Sequence, residues 1–313
     1  MKTTLAIALA IALATGRPFL GVFKVLNPVR VLVCSGESGL AAIKETASRI
    51  AYAQGDSLRG LRNLIWSSDL PRFDNPVHLQ AFRDVIEQGE IGVVILDPMY
   101  FCLPGADAGN LMVVGALLRG VSQICEETKT TLIVVHHVRK SLENPHDPPE
   151  LSDVSWSGTS EWARQWILLS RRRRYEPGTG QHDLWMSVGG SAGHNGLWAL
   201  DIFEGVGTER SWDVSLSNPD DARNASTNAR EEAKTTRKAE QLERDKRAIL
   251  DAVLKLPDHR GTLSEIRTRT GRNGQAFSVA LADLVNDRHL VACQIPKPNG
   301  RQYEGFRLSD EQE

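Results

Sequence analysis

Three short runs decide what this chain can fold into: RVLVCS at 30–35, IGVVILD at 91–97 and TLIVVH at 131–136. Each is apolar almost throughout and rich in β-branched residues, the pattern of a strand buried on both faces. Helical patterns separate them: Lys2–Thr15 before the first, 40–54 and 77–88 before the second, and Leu111–Thr128 before the third, with a shorter strand pattern at 63–67. Buried strands alternating with helices predict an α/β core with a parallel sheet covered on both sides. Beyond Ser157 the rhythm changes. The runs 165–170, 183–188 and 197–203 lie among Pro-Gly, Gly-Gly and His-Asn-Gly turns and read as antiparallel strands extending that sheet.

The core is expected to close by residue 210. Residues 211–240 include SLSNPDDARNASTNAREEAKTTRKAE, which carries almost no large apolar side chains and reads as a charged linker, helical toward its end. A second unit then runs over 241–313. It holds helices at 242–255, Leu263–Thr270 and 275–287, and strands at 290–295 and 303–308 around a KPNG turn. Three helices and a hairpin in that order predict a winged helix-turn-helix.

Net charge is −2, so any nucleic-acid surface must be local. Cys34, Cys102, Cys125 and Cys293 show no C-x-x-C and no pairing rhythm, which suits a reducing compartment. No apolar run beyond residue 16 is long enough to span a bilayer. The expected location is cytoplasmic, with no membrane partner.

The opening MKTTLAIALAIALATG has two readings. A lysine before an apolar run ending in small residues fits a secretory signal peptide. Lys-Thr before an apolar helix also fits the close of the phosphate-binding motif G-x-x-x-x-G-K-[ST]. In that case Lys2 contacts the β- and γ-phosphates and the Thr3 hydroxyl ligates Mg²⁺, with Thr4 beside them.

The strand ends favour the second reading, because ligands of such sheets bind at the carboxyl ends of strands. Asp97 ends one strand and can hold Mg²⁺ beside a triphosphate, although a helix cap or loop-start Asp has the same look. Glu37, between Gly36 and Gly39 after another strand, can orient and deprotonate a water; it can equally favour the dipole of the following helix. His136 and His137 end a third strand, where a polar group can sense a γ-phosphate. No Cys or carboxylate spacing beside them supports zinc.

Taken in order, KTTLAIALAIALATGRPFLG, VLVCSGESGL, IGVVILDP, VVHHVRK and SGTSEWARQWILLSRRRR resemble the AAA_25-type, RecA-like P-loop ATPases, similar to plasmid RepA-type hexameric replicative helicases, over residues 1 to about 205. The resemblance implies Lys2 and Thr3 as Walker A, Glu37 as catalytic base, Asp97 as Walker B and His136–His137 as the γ-phosphate sensor. It implies Arg164 as an arginine finger reaching a neighbouring subunit, with Arg171 to Arg174 as rivals. ATP and Mg²⁺ are the implied cofactors and a homo-hexamer the implied assembly. In that family a strand and a glycine-rich loop precede the lysine, whereas only Met1 precedes it here. Either translation starts upstream, or the site lacks the backbone N–H groups that surround phosphates.

DNA is the expected partner, single-stranded in the ring and duplex at the winged helix. By resemblance, the loops after Asp97 and after Lys140 line the channel. The second carries Glu143, Asp147, Glu150 and Asp153, which repel phosphate, so Trp156 stacking or backbone amides would have to grip the strand. In the C-terminal unit, Arg267, Arg269, Arg272, Asn273, Gln275 and Ser278 cluster at the turn and start of the groove-reading helix, with Lys297 and Arg301 at the hairpin tip. A docking module for proteins has the same elements. The expected function is a DNA-dependent ATPase, a helicase-type motor of plasmid or phage replication. Its alternative is a non-catalytic DNA-binding replication or regulatory protein on a degenerate ATPase scaffold.

Overall fold

The computed structural model describes residues 1–103, 105, 110–139, 144–155, 158–272, 274–298 and 301–309. They form two compact units, Met1–Ala222 and Arg223–Glu313. No helix among the described residues is long and apolar enough to cross a membrane.

The first unit is built on a parallel sheet of β1 (Val31–Ser35), β2 (Leu64–Ser67), β3 (Val93–Asp97) and β4 (Thr131–Val134), in the order β2-β1-β3-β4. Every residue of β1 and β3 is buried, as their unbroken apolar sequence requires. Alternation along the strands divides the core. Val31, Val33, Val93 and Ile95 pack with α1 (Lys2–Thr15) and α2 (Leu40–Ala53). Leu32, Cys34, Val94 and Leu96 pack with α3 (Pro76–Gly89) and α4 (Leu111–Thr128). β4 stops two residues short of expectation, so both histidines lie just past its end.

A four-residue helix, α5 (Thr159–Trp162), precedes β5 (Gln165–Arg171), β6 (Gln181–Gly190), β7 (Gly196–Val206) and β8 (Glu209–Ser217). These are antiparallel neighbours in that order. The expected extension of the parallel sheet is corrected: they hydrogen-bond into a separate sheet. The reason lies in α1, where no residue from Leu5 to Ala14 is exposed. A helix apolar on every side needs cover on both. The parallel sheet supplies one; Leu184, Met186, Leu200 and Ile202 of the antiparallel sheet, in the same cluster as Ile7 and Ile11, supply the other. β8 was expected within the linker, but Trp212, Val214 and Leu216 alternate inward onto that cluster.

The rest of the expected linker is helical, within α6 (Pro219–Leu254). The second unit adds β9 (Arg260–Thr262), α7 (Leu263–Thr270), α8 (Gln275–Asn286) and the hairpin β10 (Leu290–Pro296) and β11 (Gln302–Leu308). Its sheet order is β10-β11-β9, and its core is Ile249, Val253, Ile266, Phe277, Leu281 and Leu284. β9 was not expected. Thr262 and Glu265 form a reciprocal capping box at the start of α7, and Gly271, at φ 63°, ends it in the left-handed conformation.

Candidate functional site

Asp97 is the last residue of β3 and only 2% exposed. Its register partner on β1 is Ser35, also buried. Both continue the Val31–Val33 and Val93–Ile95 alternation, which places them on the face covered by α1. Asp97 Oδ2 and Ser35 Oγ are buried without a hydrogen-bond partner. Two unsatisfied oxygens side by side at strand ends are a costly arrangement for a purely structural corner.

The first turn of α1 meets this pair. Burial pushes the Asp97 carboxyl above its ordinary value and hydrogen bonding from Thr3 opposes the rise, as do the charges of Lys2 and His137; Glu37 adds to it. Lys2 Nζ lies 3.1 Å from Nδ1 of His137. Lys2, Thr3, Glu37, Asp97 and His137 therefore converge on one place. Thr4 stands on the same helical turn, half-buried.

The two histidines follow opposite faces of the sheet. Val135 packs with the α1 side and Val134 with the opposite side. His137 continues the first register and reaches Lys2. His136 continues the second and makes a 2.9 Å contact from Nε2 to the Ser155 carbonyl; burial holds its pKa below the ordinary value. Sequence reasoning missed Tyr100, whose ring centroid is 6.1 Å from that of His137. Its signal was a ring three residues after the strand-end acid.

Glu37 is exposed on the loop between β1 and α2. Gly36 sits where neighbouring side chains approach the backbone closely. A Cβ there would stand 2.4 Å from Leu70 Cδ1 and 3.0 Å from Phe101 Cδ2. Its N–H donates to the Asp97 carbonyl at 3.0 Å, tying the Glu37 loop to β3. α2 begins after Gly39 with no acidic residue in its first turn and no side-chain cap, so Glu37 does not serve as that helix's cap.

The oxygens gathered here, from Asp97, Ser35 and Thr3, are the hard donors that suit Mg²⁺. Among the described residues no group of three or more His, Cys, Asp or Glu is placed to hold a metal alone. A cation held by one or two protein oxygens together with substrate phosphates fits that set.

Arg164 stands exposed in the bend before β5. Of its rivals, Arg172 is paired with Asp201 and Asp183, Arg173 is paired with Asp183, and Arg171 lies 4.8 Å over the Tyr175 ring. Arg174 is exposed.

In the second unit the expected DNA-facing residues divide sharply. Arg272 is ion-paired with buried Asp245, Lys297 with Glu265, and the Arg267 guanidinium lies 5.2 Å over the Phe277 ring. Arg269, Gln275, Ser278 and Arg301 are exposed. Lys140, Glu143, Trp156 and Asn273 lie outside the described residues.

Residues 1–143 match the AAA_25 family model, described as an AAA domain. The match covers α1 through β4 and every member of the strand-end cluster. No curated protein matches the sequence of this chain.

Proposed function

We propose that the first unit binds ATP with Mg²⁺ and hydrolyses it, and that the chain works as a DNA-dependent, helicase-type motor of the RecA-like kind. One observation carries the nucleotide part: an ammonium, a hydroxyl, an exposed carboxylate and an imidazole surround a buried carboxylate that has an unpartnered oxygen. The AAA-domain match over the same residues supports it.

Lys2 neutralises phosphate charge from the first turn of α1, where the helix dipole also favours an anion. Thr3 and Asp97 are the oxygens that would hold Mg²⁺, and the ion, when bound, neutralises charge developing on the phosphates. Glu37, exposed and free to meet solvent, orients and deprotonates the attacking water. His137 holds Lys2 and reports on the phosphate side, while His136 couples the same backbone to the loop carrying Ser155.

DNA dependence, a hexameric ring with Arg164 acting in trans, and a plasmid or phage replication role complete the proposal. Arg164 has the exposure that action across a subunit boundary requires. The helix–turn–helix–hairpin order of the second unit, with Arg269, Gln275 and Ser278 exposed at its turn, supports a winged helix facing duplex DNA. The test is phosphate release by the full chain with ATP and Mg²⁺, with and without single-stranded DNA. Turnover stimulated by DNA and abolished in Glu37→Gln is expected. ATP binding without turnover would instead support the non-catalytic scaffold.

A further inference from the structure

Just past Asp97 the chain winds into a short 3₁₀ turn, Met99–Cys102. Both ends of the turn are fixed in the core: Met99 and Cys102 are fully buried, and Leu103 after them is buried too. The Met99 N–H donates to the Val135 carbonyl at 2.9 Å, and the Phe73 N–H donates to the Cys102 carbonyl at 2.8 Å. Residues three apart eclipse one another in such a turn. Burying Met99 and Cys102 together therefore leaves Tyr100 and Phe101 on the outer side, and Phe101 is 42% exposed. The result is an aromatic ring presented at the surface on a rigid base.

What rests on that ring is the loop that carries Glu37. A Cβ built on Gly36 would stand 3.0 Å from Phe101 Cδ2 and 3.3 Å from its Cε2, with Leu70 Cδ1 at 2.4 Å. The Gly36 backbone thus lies directly against the ring. Its N–H bond to the Asp97 carbonyl, at 3.0 Å, fixes the same residue to β3. Glu37 is next in the chain and its side chain is exposed, so its aim depends on how Gly36 is held. Tyr100 braces the ring from its other side, edge-on, with centroids 4.6 Å apart and planes at 64°, a favourable aromatic arrangement. Tyr100 in turn lies 6.1 Å from His137, which touches Lys2. The two rings span the site from its ammonium to its exposed carboxylate.

We propose that Phe101 is the positioning residue of Glu37: its ring, braced by Tyr100, sets the Gly36 backbone and hence the aim of the carboxylate that takes the proton of the attacking water. The proposal rests on the nucleotide reading of the strand-end site and adds a residue that acts only through the Gly36 backbone. A general base must stand within hydrogen-bond reach of the proton it takes. A displacement of about 1 Å can cost roughly 100-fold in rate. Loss of the ring is therefore read in the chemical step and not in ATP binding.

The test uses the full chain in two measurements. One is steady-state phosphate release with ATP, Mg²⁺ and single-stranded DNA; the other is amide hydrogen exchange without nucleotide, read by mass spectrometry. Phe101→Ala should lower kcat by about 10- to 100-fold, with KM for ATP and the unfolding midpoint unchanged. Phe101→Tyr keeps the ring and should hold kcat at the wild-type value. In Phe101→Ala the amides of residues 36–39 should exchange faster, while those of β1 and β3 keep their wild-type protection. Wild-type kcat in Phe101→Ala, unchanged exchange at 36–39, or an equal loss of kcat in Phe101→Tyr overturns the proposal and leaves the nucleotide site standing. A wild-type chain that hydrolyses no ATP, or a Glu37→Gln chain that hydrolyses it at the wild-type rate, overturns both. If Phe101→Ala does not fold, Gly36→Ala decides from the other side of the contact, since its methyl group displaces the loop from the ring. The same loss of kcat at unchanged KM is then expected, and wild-type kcat, or a loss confined to KM, overturns the proposal.

Discussion

Lys2 and His137 touch at 3.1 Å although 135 positions separate them in the chain. The contact joins the first turn of α1 to the carboxyl end of β4, across the end of β3 where Asp97 lies. Lys2→Ala is expected to weaken triphosphate binding by roughly 10- to 100-fold, the range for losing a charge-assisted contact. His137→Ala should lower turnover more than affinity. His136→Ala should instead lower thermal stability, since its contact is with the Ser155 backbone. Calorimetric titration and steady-state phosphate release separate the three, and equal effects from both histidines would contradict the division of faces.

Asp97 sits buried with one oxygen unpartnered, and its pKa is raised chiefly by burial. A raised carboxyl pKa means the ionised group destabilises the folded state at neutral pH. Asp97→Asn is therefore expected to raise the unfolding midpoint by a few °C, the shift produced by about 1 kcal/mol. The same change should remove the Mg²⁺ dependence of ATP binding. Differential scanning calorimetry without nucleotide, paired with Mg²⁺ titrations, reads both. A lower midpoint would show that the carboxylate is structural.

The helix between two sheets is the mechanical core of the first unit. Ile11 is fully buried in the cluster shared by α1, the parallel sheet and the antiparallel sheet. Ile11→Ala should cost about 2–5 kcal/mol, measured by urea unfolding. A loss well below that range would mean that the two sheets do not clamp α1 as tightly as this cluster indicates.

Much of this was legible in the sequence. The three buried strands, the four helices of the core and the strand-end acids follow from period and composition, because burial on both faces leaves a strand no polar positions except at its ends. The division of the histidines was legible too: Val33–Ser35, Ile95–Asp97 and Val135–His137 share one alternation, and that parity alone places His137 with Asp97. Other features were hidden. The inward positions Trp212, Val214 and Leu216 are interleaved with Arg, Ser and Asp, so β8 dissolved into the charged stretch that follows. The separate second sheet depends on what covers the outer side of α1, a tertiary fact that no local pattern encodes. His182 meets Glu204 and Tyr175 only through the pairing of β6 with β7 and the turn before it, contacts that no local pattern encodes.

The capping box of α7 carries a pH signature. Lys297 and the backbone and side chain of Thr262 hold Glu265 down to about 2 from its ordinary 4.5. A depressed folded-state pKa contributes stability that is present above the unfolded value and lost as pH falls from about 4.5 toward 2. Thermal unfolding of the second unit's transition should therefore decline over that window more steeply in wild type than in Glu265→Gln. Parallel declines would place the acid sensitivity elsewhere.

Arg269 and Arg272 lie three positions apart, yet the structure gives them different work. Arg269 is exposed on α7. Arg272 is paired with Asp245, which is 2% exposed and also accepts from Gln241 at 2.9 Å. Removing Arg272 leaves a buried carboxylate with one amide partner, so Arg272→Ala should destabilise by roughly 1–3 kcal/mol. Its effect on DNA binding would then follow from the damaged fold. Arg269→Ala and Gln275→Ala should leave the unfolding midpoint unchanged. If the turn and the start of α8 face duplex DNA, those two changes together should weaken binding about tenfold or more. Arg269 is a charge lost from a phosphate contact, so part of that loss should fade as salt is raised. Gel-shift titrations at two salt concentrations, run beside calorimetry, distinguish the cases. Unchanged affinity in the Arg269–Gln275 double variant, with a stable fold, would move this face from nucleic acid to protein docking.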